Sequence, residues 1–197
     1  MKFYITSSLL ILMLFFSSCI TYKRASTFSR CEFRINRVES IVLNGISVMG
    51  KTKLSELSLN DASVLLRSVV NGPLIMDMTI LVDIKNPNKS KAAMNRIDWI
   101  LLIDDIEMMT GSTIQRVIIP ANNEVHTVPL NTTTNIKDLV SGKRASALIG
   151  FALNLAGVGR DPSRLTIKAK PFIKVGKRDL AYPGYISIRT DFFSGQE

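Results

Sequence analysis

The sequence predicts a mainly β domain, an antiparallel β-sandwich with one or two helical insertions. Apolar and polar residues alternate along several segments of strand length, most strongly over residues 74–85. Short turn sequences separate these segments, as at residues 183–184. Helical spacing of apolar residues is confined to two stretches. Seven or more strands joined by short turns are typical of a sandwich.

The first elements are a strand and a helix. Alternation at Cys31, Phe33 and Ile35 predicts the strand, and residues 41–49 form a second apolar stretch. Asn60 or Asp61 can cap a helix that ends at residues 71–73, where Asn-Gly-Pro favours termination. The apolar side of this helix is predicted to hold Leu65, Leu66, Val69 and Val70.

A half-buried strand over residues 74–85 follows, and a turn formed by Asn86, Pro87 and Asn88 ends it. Proline cannot donate a hydrogen bond to a strand ladder, and asparagine side chains can close a turn.

The next strands are predicted to form a meander. Residues 97–103 form one strand, residues 104–105 a turn, and Gly111 is expected to break the following run. Residues 117–119 and 125–130 complete the meander through a hairpin loop.

The pattern becomes helical over residues 143–156, and glycines end this helix. Strand alternation returns over residues 165–175, and a last strand covers residues 186–192. The predicted apolar face of the helix is formed by Ala145, Leu148, Ile149, Ala152, Leu155 and Ala156.

The beginning of the chain predicts export and lipidation. Residues 1–18 combine a positive start, a short apolar run and small residues, which are typical of a secretory signal. The apolar run is shorter than the about 20 residues that a spanning helix needs. The small residues before Cys19 resemble a bacterial lipobox, which implies cleavage before Cys19 and acylation of its thiol. An ordinary signal peptide with an incidental cysteine, or an uncleaved anchor, are the alternatives.

The predicted domain order is a signal peptide (1–18), a lipidated cysteine with a polar basic tether (19–30) and one β-sandwich (31–197). Within the tether, Lys23 and Arg24 could meet anionic headgroups near the anchor. No acidic residue follows Cys19 directly, so we expect an outer-membrane lipoprotein that faces the periplasm.

Composition excludes several classes. The 197 residues are 46% hydrophobic and 21% charged, which excludes a disordered chain. Two cysteines are too few for a disulfide scaffold. If Cys19 is acylated, Cys31 has no intramolecular partner, and we expect it to be a small buried hydrophobic residue. The formal charge of +9 is concentrated at the two ends: residues 39–136 hold eight basic and ten acidic residues.

Residues 80–130 resemble the late embryogenesis abundant type 2 family, also called the water stress and hypersensitive response domain. The matching segments are ILVDIKNPN (80–88), IDWILLID (97–104), Gly111, IIP (118–120) and Val-Pro (128–129). The resemblance implies a fibronectin- or immunoglobulin-like sandwich and brings no catalytic residues. The roles proposed for the family are stress protection and binding in the envelope.

Residues 45–52, GISVMGKT, match the phosphate-binding pattern G-x-x-x-x-G-K-[ST], with Asp83 available as the acidic strand residue that supports magnesium. β-Branched Ile46 and Val48 resist the positive φ angles of a phosphate nest, so we expect a strand instead. Binding of ATP that is lost on Lys51→Ala would overturn this interpretation.

Metal and catalytic sites have weak signals. His126 is the chain's one histidine, and we expect it to be an ordinary strand residue. Asp104, Asp105 and Glu107 lack the spacing of a calcium-binding loop, so we expect them to form a solvated turn. We therefore predict no metal, no cofactor and no enzymatic activity. A hydrolase with a dispersed active site would require a cleft that holds His126 beside a serine and a carboxylate.

A basic stripe with a period of two follows one predicted strand. Its residues are Arg164, Lys168, Lys170 and Lys174. The stripe could dock phospholipid, lipopolysaccharide phosphate or an acidic polymer; a solvated sheet face, or lysines that protect a sheet edge, are the alternatives. It lacks the interleaved aromatics that nucleic acid binding uses.

The function expected from these features is a lipid-anchored binding, scaffolding or stress-protective module of the cell envelope. Its expected partners are the membrane and an anionic lipid, an anionic polymer or an envelope protein. The alternative is a carrier of apolar ligands. A large apolar cavity between helix 143–156 and the sheet would favour the carrier, and a tightly packed interface would exclude it.

Overall fold

The computed structural model of the chain describes residues 27–28, 30–51, 56–140, 142–155, 157–175 and 178–192. Within these ranges, antiparallel sheets pack around one apolar core, which confirms a mainly β sandwich with helical insertions. The strands are β1 (Glu32–Leu43), β2 (Ile46–Ser47), β3 (Ile75–Lys85), β4 (Ala92–Met94), β5 (Arg96–Ile103), β6 (Ile106–Thr113), β7 (Val117–Ile119), β8 (Val125–Asn135), β9 (Ser163–Val175), β10 (Arg178–Ala181) and β11 (Ile186–Phe192). The helices are α1 (Leu59–Asn71), α2 (Gly142–Leu155) and a 3-10 turn (Lys137–Leu139).

The sheets are formed by segments distant in sequence. The first sheet has the strand order β2-β1-β3-β8. The second sheet has the strand order β10-β9-β5-β6, and β11 also pairs with β9. The described part of β4 pairs with β7 as a separate ribbon. The predicted meander is therefore wrong: the chain crosses between sheets after β3, and β8 returns to pair with β3. Alternation identifies strands but carries no information on which strands pair.

Strand β3 has the predicted two faces. Its inward residues are Met76, Met78, Ile80, Val82 and Ile84, each at most 3% exposed. Strand β1 alternates less regularly because its register shifts around Asn36 and again around Glu39. Each extra residue reverses which side chains point inward, so burial moves from Ile35 to Val38.

Gly111 lies inside β6 and does not break it, contrary to the prediction. It pairs with Trp99 of β5, and a Cβ atom at this position would overlap the indole ring. The ring is 2% exposed and lies in the core. Glycine is required here because the indole occupies the space of a side chain.

Helix α1 begins two or three residues earlier than predicted. Ser58 is the N-cap, and its hydroxyl accepts a hydrogen bond from the Asp61 amide at 3.1 Å. Of the predicted apolar side only Leu65 is buried, whereas Val70 is 69% exposed. The Asn44 side chain joins the end of this helix to the sheet, because it donates to Ser68 and to the Pro73 carbonyl.

Helix α2 forms where the spacing predicts it, but its most buried residues are not those of the predicted apolar face. Ala147, Phe151 and Asn154 are its buried residues, and Ile149 is 59% exposed. Phe151 packs edge-on against Phe192, with ring centroids 5.4 Å apart. The helix is apolar over much of its circumference, so periodicity alone does not determine its rotation.

The packed domain includes part of the predicted tether. Phe28 is 1% exposed and belongs to the core, and the Thr27 carbonyl accepts a 2.9 Å hydrogen bond from the Asn88 side chain. Residues 1–26 and residue 29, which include Cys19, Lys23, Arg24 and the predicted signal peptide, lie outside the described residues. In the described part of the chain, no helix has the length and hydropathy needed to cross a bilayer.

Candidate functional site

A half-enclosed apolar cavity of about 340 Å³ lies at one end of the sandwich, between the two sheets and helix α2. The sheets contribute the inward residues of β1, β3, β5 and β6 near this end. These residues are Ile41, Leu43, Met76, Met78, Leu101, Ile103 and Met109, and Leu74, immediately before β3, also lines the cavity. Pockets that bind small molecules have volumes of about 300–1,000 Å³, so this cavity is large enough for a ligand.

Helix α2 forms the wall that faces the sheets. Leu148, Ile149, Phe151, Ala152 and Leu155 line the cavity from this side. Four of these five belong to the apolar face predicted from the sequence, so that face borders a cavity rather than the tightly packed core. The packed contacts are made beside it, where the Asn154 amide donates to the Ser163 hydroxyl at 2.9 Å.

Methionine is unusually frequent in the lining. Of the six methionines in the described ranges, four border the cavity, namely Met49, Met76, Met78 and Met109. Methionine has an unbranched, polarisable side chain that adapts to irregular shapes and is over-used at promiscuous binding surfaces. The lining therefore suits an apolar ligand of variable shape.

The segment that matches the phosphate-binding pattern forms the rim of this cavity. Its first glycine, Gly45, has a φ of 83° in the hairpin turn between β1 and β2, and the Val48 amide donates to the Ile41 carbonyl. Val48, Met49, Gly50 and Lys51 line the cavity. The described residues of the motif thus form a hairpin and part of the cavity rim. Thr52 lies outside the described residues.

Asp83, the acidic residue that could have supported magnesium, is occupied by a hydrogen-bond cluster on the outer face of the first sheet. Arg34 donates to its carboxylate at 2.7 Å, Asn36 at 2.9 Å and Thr127 at 2.8 Å. The hydrogen bond from Arg34, followed by those from Thr127 and Asn36, holds the pKa of Asp83 below its usual value, against the opposing effect of burial. The register shift in β1 leaves Asn36 without a cross-strand partner, and its amide donates to this carboxylate.

Protonation of Asp83 at acid pH should lower the free energy of unfolding. Because the native pKa is lowered, the stabilisation from this cluster is complete above the unfolded-state pKa of about 3.9 and is lost as the pH falls through the native pKa. Urea unfolding between about pH 6 and pH 2 should show this loss. Asp83→Asn should lower the free energy of unfolding by about 1–3 kcal/mol at neutral pH and flatten its acid dependence. An unchanged acid dependence in Asp83→Asn would contradict the assignment.

The basic stripe is partly paired with acidic neighbours. Arg164 contacts Asp105 at 3.5 Å and Asp191 at 3.3 Å. Lys170 lies 5.6 Å from the ring centroid of Tyr185. Lys168 faces Ser187 and Ile100 in the register, and the side chain of Lys174 lies outside the described residues. Protection of a sheet edge is wrong as an explanation, because β9 pairs with β5 on one side and with β10 and β11 on the other.

The remaining titratable candidates are in structural positions. Asp104 and Asp105 form the predicted turn, with φ values of 50° and 63°, and the Asp104 carboxylate accepts a hydrogen bond from the Arg164 amide at 2.8 Å. Glu107 is exposed on β6, and His126 is half-buried on β8 opposite Ile84. Across the described ranges, no group of three His, Cys, Asp or Glu side chains could hold a metal ion.

Asn86, Pro87 and Asn88 end β3. Asn86 is fully buried and donates to the carbonyls of Ser90 (2.9 Å) and Ile119 (3.4 Å). Its carbonyl oxygen accepts from the backbone and side-chain amides of Asn88, at 3.1 and 2.7 Å. The turn is therefore closed by asparagine side chains and joins β3 to the segment that carries β7.

Cys31 is buried immediately before β1, as the sequence predicts. Burial raises the pKa of its thiol to about 11. Because the thiolate is the reactive form of cysteine, this residue is poorly suited to nucleophilic chemistry near neutral pH.

Comparison with known proteins identifies no family for the chain. No family model and no curated protein matches the chain. It is similar to a crystal structure of a protein from Archaeoglobus fulgidus, with a TM-score of 0.36 and 11% identity over 62% of this chain and 88% of that one. It is also similar to the solution structure of a candidate late embryogenesis abundant protein, with a TM-score of 0.37 and 10% identity over 96% of this chain and 87% of that one. At these sequence identities and TM-scores, neither structure informs function. The resemblance of residues 80–130 to the late embryogenesis abundant type 2 family stays a prediction.

Proposed function

We propose that this protein is a non-catalytic binding module that takes an apolar ligand into the cavity beneath helix α2. The observation that carries the proposal is the cavity itself. It has about 340 Å³ of space, its described lining contains one charged residue, and four of the six methionines in the described ranges border it. An apolar cavity of about 150 Å³ accepts benzene, so this one should hold a single chain on the order of a dozen carbon atoms.

The cavity also explains an otherwise costly arrangement of side chains. Core packing normally leaves few voids larger than a water molecule, because each void forfeits dispersion contacts. Here the inward side chains of both sheets and one face of α2 border the same space. An apolar ligand would restore those contacts, which favours a carrier or binding protein over a purely structural sandwich.

Ligand binding can be followed at the methionine methyl groups. We expect dodecanol, added to the full chain carrying Cys19→Ser, to shift the NMR signals of the four methionines in the lining and to leave Met94 unchanged. Met94 is a suitable internal reference because it is buried but does not border the cavity. Equal shifts at all methionines, or none, would contradict the proposal.

A cavity-filling variant adds a second test. Ala152 lines the cavity, and the adjacent Leu153 is on the same helix outside the lining. Ala152→Phe should weaken dodecanol binding by about tenfold or more, a loss of about 1.4 kcal/mol or more. Leu153→Phe should bind as the parent protein does. Similar affinities for both variants would place the ligand elsewhere.

We propose further that acyl chains on Cys19 hold this module at the outer membrane, facing the periplasm. The support is the sequence of residues 1–30, and several acyl chains give stable anchoring. Mass spectrometry of the N-terminal peptide should find an acylated Cys19, and Cys19→Ser should release the protein from the membrane fraction. An unmodified Cys19 in the membrane-bound protein would exclude this anchor.

A further inference from the structure

The cavity has a charged residue at its rim. Lys51 borders the cavity together with Val48 and Met49, and its side chain is exposed to solvent. The other described residues of the lining are apolar, and none of them is acidic. A ligand whose tail fills the cavity would therefore have its outer end close to one ammonium group.

The Lys51 ammonium has unused capacity to donate hydrogen bonds. Its Nζ donates to the backbone carbonyl of Glu56 at 3.1 Å. An ammonium has three N–H donors, so this contact leaves two for a ligand. Over the described ranges, no carboxylate lies within ion-pair distance of Lys51, whereas Arg34, Arg37, Lys85, Arg96 and Arg164 each have an acidic partner.

We propose that the ligand is a single-chain amphiphile with an anionic head group, which binds with its tail in the cavity and its head on Lys51. The inference rests on the proposed binding of an apolar ligand. Attraction between Lys51 and an anion is strengthened beside the low-dielectric wall of the cavity. The volume admits about one chain, so a free single-chain anion fits better than a two-chain phospholipid.

Three amphiphiles with the same tail separate the contribution of the head-group charge to binding affinity from the contribution of the apolar tail. Dodecanoate, dodecanol and dodecyltrimethylammonium are titrated, below their micelle concentrations and at about pH 8 where a carboxylate is ionised, into the full chain carrying Cys19→Ser. We expect dodecanoate to bind roughly five- to tenfold more tightly than dodecanol, and the cation to bind most weakly. The preference for dodecanoate should shrink as salt is added.

Variants of the lysine identify the group responsible. Lys51→Met keeps an apolar stem and removes the charge, so it should equalise dodecanoate and dodecanol without weakening dodecanol. Lys51→Arg should restore the preference. Lys89→Met, which removes an exposed lysine from the turn after β3 at the other end of that strand, should behave as the parent protein does.

The outcomes separate this inference from the function on which it rests. If none of the three amphiphiles binds, the apolar-ligand function fails. If all three bind with equal affinity, or if the preference for dodecanoate survives in Lys51→Met, the anionic head group on Lys51 is excluded and the cavity function stands. Equal affinity for all three amphiphiles is expected when the stem of Lys51 only covers apolar surface and its ammonium stays in water.

Discussion

Replacing Gly111 by alanine should destabilise the protein by about 2–3 kcal/mol, because the added methyl group overlaps the indole of Trp99. The ring has little room to retreat. It is 2% exposed, and Ala169 of β9 faces it in the register on the side away from Gly111. Either the indole leaves its rotamer or the edge strand β6 moves away from β5, and both changes disturb packing in the second sheet.

Urea unfolding followed by the emission of Trp99, the chain's one tryptophan, measures this effect directly. Gly150→Ala is the matched control. Gly150 lies within α2, and its added Cβ would be 3.6 Å from the Ser163 hydroxyl, an ordinary contact distance. Alanine is favoured over glycine in a helix, so this variant should gain about 0.5–1 kcal/mol. Equal stabilities for the two variants would show that the Gly111–Trp99 contact is not tight.

Replacing Asn86 by alanine should cost about 2–4 kcal/mol, because a fully buried side chain that makes four hydrogen bonds is lost. The change leaves the Ile119 carbonyl and the Asn88 amide groups without these partners. Buried polar groups without partners cost about 1–3 kcal/mol each, although water can enter and satisfy some of them.

The control for this variant is Asn131→Ala on β8. Asn131 is exposed and accepts one hydrogen bond from Thr79 at 3.0 Å, so its loss should cost no more than about 0.5 kcal/mol. Thermal or urea unfolding of both variants provides the comparison. A small effect of Asn86→Ala would mean that the turn retains its shape without the asparagine side chain.

The sequence predicts most strands of this fold because burial of one sheet face imposes a period of two. Residues 74–85 are the clearest case, and the structure confirms both their strand and their inward face. Strand pairing was not predictable in the same way. Whether β8 pairs with β7 or with β3 depends on contacts between segments far apart in sequence, and hydrophobic patterning does not encode these contacts.

The errors have local physical causes. Glycine usually interrupts a strand, and only the neighbouring indole makes Gly111 a required residue inside one. Helix α2 is apolar around most of its surface, so the spacing predicted the helix but not which face packs and which borders the cavity. The register shift at Asn36 has no signature in the sequence, although it contributes to the hydrogen bonding of Asp83.

From the sequence, the candidate site is predicted only as a requirement of the carrier function and not as a set of residues. The sequence predicts that a carrier would need a cavity between helix 143–156 and the sheet, and such a cavity is present. The segment that forms its rim is conspicuous in the sequence for a different reason, because GISVMGKT matches a phosphate-binding pattern. Lys51 borders the cavity because the hairpin at Asn44 and Gly45 directs the following residues over the end of the sandwich.

The long pair of strands β1 and β3 separates the two ends of the molecule. Phe28, where the chain enters the core, lies near the turn at Asn88, whereas Leu43 and Met76 at the opposite end border the cavity. The twelve residues of β1 span roughly 35–40 Å, and the nine residue steps from Cys19 to Phe28 reach about 30 Å when fully extended. A domain tethered by Cys19 and standing upright would therefore hold its cavity far from its own bilayer. In that orientation, ligand exchange would occur with a soluble donor or an opposing membrane rather than with the lipids around the anchor.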